Sequence, residues 1–388
     1  NHRQKGEKMD KMTSRERFRK ALNHQEPDRV PIDVGQDFHN GIHEVAYRNL
    51  LAFLGEEDDI RLYDRIQHLA VCKESILERL HADTRYVFAN APSNWQIKVH
   101  ADSSWADEWG VVRKNVGLYD ESIQCPLAGA SIDEIKSYQM PDPVDPARFT
   151  GLKERAKELY EGTQYAIIGG SAASLFYLSS ELMGFQEYME RLALEPQVIE
   201  ILVDRILEWE IKFFDKYLEQ VGEYVELVWM GDDWGMQSGP IMNPKIFKKL
   251  FMPRYKEFTH FVKSKTQTKI ALHSCGSGLW AMEDLYEAGV DVIHPLQATA
   301  FDMGDPEKIK KSFGNKLVFY SNLSNQSIIP HGTPEDVIKE VRDKIKILAP
   351  GGGYIISRSH NIQADVPPQN ILALFDTAYQ EGHYPIHN

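Results

Sequence analysis

Lys-Ile-Ala-Leu-His-Ser-Cys-Gly, residues 269–276, is the stretch on which the reading of this chain turns. An apolar run ends in an imidazole, a thiol and a glycine, and a helical pattern begins near Leu279. Along an extended strand, side chains two residues apart share a side, so His273 and Cys275 project together. Imidazole and thiolate are both zinc ligands, and a parallel α/β protein keeps its chemistry at the C-terminal ends of its strands. The plainer alternative is a buried cysteine beside a hydrogen-bonded histidine. The other strand ends decide between them.

Similar β-rich runs recur at 29–34, 85–89, 166–170, 226–232, 292–296, 317–321 and 353–357, making eight with 269–273. The last five are spaced by roughly 25–45 residues, the length of a strand with its covering helix. Helix starts are marked as well. Thr13 and Glu16 form a capping box opening an N-terminal helix through Leu22. Asn243-Pro244 precedes Ile246, Phe247 and Leu250. Thr333-Pro334 leads into the stripe Val337, Val341, Ile345 and Leu348, which stops at Pro350-Gly351. Residues 196–221 read as one long helix with Ile199, Leu202, Ile206 and Phe213 or Phe214 facing inward.

Residues 93–145, rich in Trp, Tyr, Pro and Gly, read as an insertion with a hairpin; the alternation lies at 96–99 and 110–112. The proline-rich stretch 141–146 reads as a rigid connector. The pattern predicts an α/β fold, a TIM (β/α)8 barrel with an inserted hairpin region and an N-terminal helical extension, as a single domain over 1–388. No GxGxxG follows an early strand, which weakens a dinucleotide-binding fold. Gly351, Gly352 and Gly353 precede their strand and read as a helix-to-strand turn.

Apolar residues at 42% and charged residues at 26% describe a globular chain with ample core. A net charge of −13 argues against nucleic-acid and anionic-membrane partners. Cys72, Cys125 and Cys275 are too sparse for a disulfide framework and fit a reducing, cytoplasmic setting. No apolar stretch approaches a membrane span. Residues 1–11 are polar, without the apolar core of a secretion signal, and read as a frayed lead-in.

The strand ends are polar beyond the needs of solubility. One ends in Asp232, Asp233 and Trp234, the next in His273 and Cys275; then come His294 and Gln297, Ser321 and Asn322, and Ser359 and His360. Each has a dull explanation: an acidic pair capping a turn, a satisfied histidine, a turn asparagine. Their coincidence at corresponding places in successive units favours one functional mouth. Trp234, beside the double Asp, is the aromatic expected to face it; Trp95, Trp105, Trp109, Trp280, Phe176 and Tyr177 are first of all core.

At this point the chain resembles the uroporphyrinogen decarboxylase superfamily over nearly its whole length. The matching stretches are 13–31 (TSRERFRKALNHQEPDRVP), 107–112 (DEWGVV), 231–237 (GDDWGMQ), 240–255, 273–276, 349–354 (APGGGY) and 359–368 (SHNIQADVPP). The resemblance implies a TIM-type barrel with its active site at the strand C-termini. It implies one of two activities. True uroporphyrinogen decarboxylases work without cofactor and hold a tetra-carboxylated macrocycle with arginines. Here the corresponding segment, 32–39, is acidic and has no Arg, and Val87-Phe88-Ala89-Asn90 stands where their central aspartate belongs. Only His360 falls at the decarboxylase histidine.

The other activity is methyl transfer to or from a corrinoid protein. Those relatives hold zinc through a His-x-Cys matching His273 and Cys275, plus a later Cys. Near 321–324 this chain has Ser-Asn-Leu-Ser, so that third thiolate is missing. Asp232, Asp233 or Gln297 is then expected to complete the set with oxygen. A zinc with fewer thiolates is a harder Lewis acid, suited to an oxygen-bearing substrate.

The leading expectation, closer to the methyltransferase branch, is a zinc-assisted methyltransferase acting between a small substrate, such as a methoxylated aromatic compound, and a corrinoid protein. His273 and Cys275 bind the metal. Asp232 or Asp233 is third ligand or general base. Trp234, Gln237, Gln297, Asn322 and His360 position substrate. The runner-up is a decarboxylase of a tetrapyrrole or another acid, using His360 and an aspartate, with Cys275 a bystander. A barrel that binds a ligand without turnover is the third. A corrinoid protein must dock at the mouth, and relatives commonly pair as homodimers, an expectation by analogy.

Overall fold

The computed structural model describes residues 12–172 and 174–386; the lead-in read at 1–11 lies outside the described residues. Seven strands form one parallel sheet in chain order: β1 (Thr84–Val87), β2 (Ala166–Ala172), β3 (Leu227–Gly231), β4 (Lys269–His273), β5 (Val292–His294), β6 (Val318–Tyr320) and β7 (Tyr354–Ile355). The remaining predicted strand, 29–34, closes the ring. Ile32 bridges Ile356 in parallel, the amide of Asp33 donates to the Ile356 carbonyl at 3.0 Å, and the amide of Asp83 donates to the Ile32 carbonyl at 2.8 Å. It forms a bridge and not a full ladder, in keeping with Pro31, which has no N–H to give. β5 stops two residues short of its expected end because Pro295 cannot donate to the ladder.

Strand alternation sorts the core into two layers. Ala166, Ile168, Leu227, Trp229, Ala271, Val292, Val318, Tyr320 and Ile355 pack together inside the barrel. Their neighbours Ile167, Val228, Met230, Ile270, Leu272, Ile293 and Phe319 join the outer core with the helices. The N-terminal helix Ser14–Leu22, with the expected Thr13/Glu16 capping box, adds Phe18, Ala21 and Leu22 to the inner layer. It thus plugs the end of the barrel opposite the strand C-termini. The long helix Pro196–Val221 forms as read, burying Ile199, Leu202, Ile206 and Phe214, with Phe213 partly buried.

The insertion departs in detail from its sequence reading. Its antiparallel sheet is Trp105–Ala106, Val112–Asn115 and Asp120–Gln124. The alternating stretch at 96–99 contributes only a bridge from Val99 to Trp105. No helix among the described residues is long and apolar enough to cross a membrane.

Candidate metal centre

Carrying the inward parity one step further along β3, β4 and β5 brings Gly231, His273 and His294 to one level, paired in register. His273 Nδ1 lies 2.7 Å from His294 Nδ1, and His294 Nε2 lies 3.1 Å from the Arg358 carbonyl. The other nitrogen of His273, Nε2, is 3.4 Å from Cys275 Sγ and 3.8 Å from Asp233 Oδ1. His360, on the segment after β7, meets the His273 ring edge-on at 5.8 Å between centroids. One ligand atom from each of His273, Cys275 and His360 lies within 4.8 Å of the other two.

Two glycines make the arrangement possible. A Cβ at Gly231 would sit 2.0 Å from Nε2 of His39, whose ring stacks on His273 at 4.4 Å. Gly276, at φ +83°, turns the chain after Cys275 so closely that a Cβ would lie 2.5 Å from the Gly235 carbonyl carbon. The amide of Gly276 donates to Gln297 Oε1 at 2.7 Å, and that of Cys275 to Asp233 Oδ1 at 2.8 Å. His39 is paired in turn with Asp37, Nδ1 to Oδ1 at 2.5 Å.

The residues singled out from sequence therefore divide. His273, Cys275, His360 and Asp233 come together, and Gln297 steadies the turn that carries Cys275. Asp232 does not join them. Its carboxylate accepts the amides of Phe176 and Tyr177, at 2.8 and 2.6 Å, and the Tyr255 hydroxyl at 2.6 Å. These three donors hold it at the start of helix Leu175–Met183, in the helix layer. Trp234, expected to face the mouth, is buried and packs against Phe247 and Trp280. Gln237 stands at the rim, donating to Gln326 at 2.9 Å. Asn322 is fully buried and donates to the Leu296 carbonyl at 2.5 Å.

Other residues at the site had gone unassigned. In sequence His294 reads as a strand end, and His39 as part of an acidic segment. Arg358, two residues before His360, is fully buried, and among the described residues its three guanidinium nitrogens have no hydrogen-bond partner. The mouth, whose segment 32–39 carries no arginine, thus receives one from the segment after β7, within electrostatic reach of Asp33 and Tyr63. A cavity of about 580 Å³ opens between the hairpin tip (Leu118, Tyr119) and Asn325, Gln326 and Gln363. Gln363 connects its wall to the cluster, donating to Tyr119 at 2.6 Å and lying 3.4 Å from His360 Nδ1.

Two nitrogens and one sulfur suit zinc. Its bonds of about 2.0–2.3 Å place tetrahedral ligands roughly 3.3–3.8 Å apart, and the 3.4 Å between Cys275 Sγ and His273 Nε2 falls in that range. Burial and the nearby Asp233 hold the Cys275 thiol well above its usual range, so metal binding has to displace its proton.

Burial also depresses His273, His294 and His360. An unfolded histidine takes up a proton near pH 6.5 that these buried rings resist. Their contribution is therefore complete above that pH and is lost below it, at about 1.4 kcal/mol per pH unit for each. Asp232, pushed up to about 7 by burial, works in the opposite sense as pH rises from 4 to 7. The net expectation for metal-free protein is a stability that falls as pH drops below 6.5. Urea midpoints at pH 7.5 and 5.5 check this; equal midpoints contradict it.

Comparison with known proteins places the chain. A family model described as Uroporphyrinogen decarboxylase (URO-D) matches residues 121–380, well over half of it. The uroporphyrinogen decarboxylase of Shewanella halifaxensis (strain HAW-EB4) is 22% identical over 275 residues, covering 68% of this chain and 74% of the relative. That of Shewanella pealeana (strain ATCC 700345 / ANG-SQ1) matches to the same extent. Among solved structures, a methyltransferase from Methanosarcina mazei superposes with a TM-score of 0.65 at 16% identity, covering 95% of this chain and 99% of its own. At that identity the likeness speaks for a shared fold.

Proposed function

This chain belongs to the uroporphyrinogen decarboxylase family, and from that premise we propose that it is a zinc-assisted methyltransferase. It moves a methyl group from a small methoxylated substrate, an aromatic ether being the leading case, to a corrinoid carried by a separate protein. The observation that carries this reading is the convergence of His273, Cys275 and His360 at the barrel mouth. A cofactor-free decarboxylase has no use for a thiol held 3.4 Å from an imidazole.

In this reading His273 Nε2, Cys275 Sγ and a His360 nitrogen hold the metal, so the missing thiolate is replaced by nitrogen and not by the oxygen ligand anticipated from sequence. Zinc bound there would supply Lewis acidity to the ether oxygen. Asp233 Oδ1 fixes the Cys275 backbone, and its side chain, 46% exposed, is the acid–base group at the rim. Substrate enters by the cavity beneath the hairpin, with Tyr119 and Gln363 as its polar wall. A corrinoid on the partner would supply a nucleophilic cobalt, whose electron pair takes the methyl as a cation equivalent; on this chain's side the leaving oxygen would keep the carbon–oxygen bonding pair and take a proton at the rim, where Asp233 stands.

A second reading has one observation in its favour. The unpartnered Arg358 guanidinium is suited to a carboxylate, which a decarboxylase substrate must carry. The two separate cleanly. Methyl transfer is expected to need the corrinoid partner and to stop on zinc chelation, followed by the visible spectrum of the cobalt. Release of CO2 from a carboxylated substrate by chelated protein supports decarboxylation instead. Ligand affinity with neither turnover leaves a binding barrel.

A further inference from the structure

We infer that His294 is a positioning residue that decides which nitrogen of His273 is free to bind metal, an inference that rests on the zinc reading above. A carbonyl oxygen only accepts hydrogen bonds. Arg358 O, 3.1 Å from His294 Nε2, therefore requires the proton of the His294 ring to be on Nε2. The ring is fully buried and makes no ion pair with a carboxylate among the described residues, so it carries that one proton and its Nδ1 is bare. Two ring nitrogens 2.7 Å apart need one proton between them, and it has to come from His273 Nδ1. His273 Nε2 is then left with its lone pair, facing Cys275 Sγ and Asp233.

One backbone carbonyl thus sets the protonation of both rings. The opposite arrangement sets the bare Nε2 of His294 against the carbonyl lone pairs and leaves a buried acceptor unpaired, at a cost of about 1–3 kcal/mol. His39 does not compete for His273 Nδ1, because it meets that ring face to face. An outer partner of this kind holds a metal-binding imidazole in one tautomer and orientation.

Two substitutions test the relay. Glutamine can accept from His273 and donate to Arg358 O, as the histidine does; leucine can do neither. His294→Leu is expected to weaken zinc binding about 10–100-fold in competition with a chelator, while His294→Gln stays close to the unaltered protein. Imidazole ¹⁵N shifts of metal-free protein give a readout that packing alone does not move. His273 is expected as the Nδ1–H tautomer in the unaltered protein and in His294→Gln, with that preference lost in His294→Leu. Nε2–H on His273 in the unaltered protein, or zinc binding undiminished in His294→Leu, overturns the relay. Protein that shows the Nδ1–H tautomer yet binds no zinc keeps the relay and removes the metal reading. If His294→Leu does not fold, the spectra of the unaltered protein and of His294→Gln decide.

Discussion

Cys275→Ser is expected to cost the protein its zinc and about a thousandfold in methyl-transfer rate. Of three converging ligand atoms it removes the only sulfur, leaving two histidines, and catalytic zinc is normally held by three protein groups. Polarisation of a leaving oxygen by a metal contributes several kcal/mol, and about 4 kcal/mol corresponds to a factor of a thousand. The fold should tolerate the change, since serine fills less space and the Cys275 amide keeps its bond to Asp233. Cys125→Ser is the control: Cys125 lies beside Gly184, away from the cluster, and no change is expected. Metal content and turnover on the same samples check both variants. Cys275→Ser protein that still transfers methyl groups at the original rate contradicts the zinc role.

Asp83→Ala is expected to have the largest effect on stability, about 5 kcal/mol or more. Its carboxylate is 1% exposed and accepts from Arg29 at 2.7 and 2.8 Å, Arg17 at 2.7 Å, Ser14 at 2.7 Å and the amide of Ile32 at 2.8 Å. It ties the plugging helix and the closing segment to the start of β1. Removal leaves Arg29 with no carboxylate among the described residues, whereas Arg17 keeps Asp28. Breaking one buried pair costs about 3–5 kcal/mol, and here an amide is orphaned as well. Against a total of about 5–15 kcal/mol the variant is marginal at best. Asp83→Asn, which keeps an acceptor, should be milder. A urea midpoint for Asp83→Ala close to that of the unaltered protein contradicts the staple.

What was readable in the sequence follows from which interactions are local. Alternation within single strands and helix caps within four residues located all eight barrel segments. The His273/Cys275 pair was equally plain, because a strand fixes the relation of neighbours two apart. Residues brought in by closure were harder. His39 reaches the cluster only because Gly231, nearly two hundred positions away, leaves room for its ring. Nothing in segment 32–39 announced that. Asp232 and Asp233 look alike in sequence, yet one caps a helix start and the other meets His273, a difference made by the orientation of helix Leu175–Met183. Trp234 was assigned by adjacency to the acids, while its position was decided by Phe247 and Trp280. Arg358 lies just past β7, two residues before His360, and an arginine directly after an apolar strand is a local signal of a buried charge at the strand end.

The proposed zinc centre is tested most directly by anomalous diffraction from crystals of the purified protein on either side of the zinc absorption edge. The expected result is one peak bounded by His273 Nε2, Cys275 Sγ and a ring nitrogen of His360. Crystals of protein given zinc that show no peak there, with the thiol still hydrogen-bonded to the imidazole, contradict it.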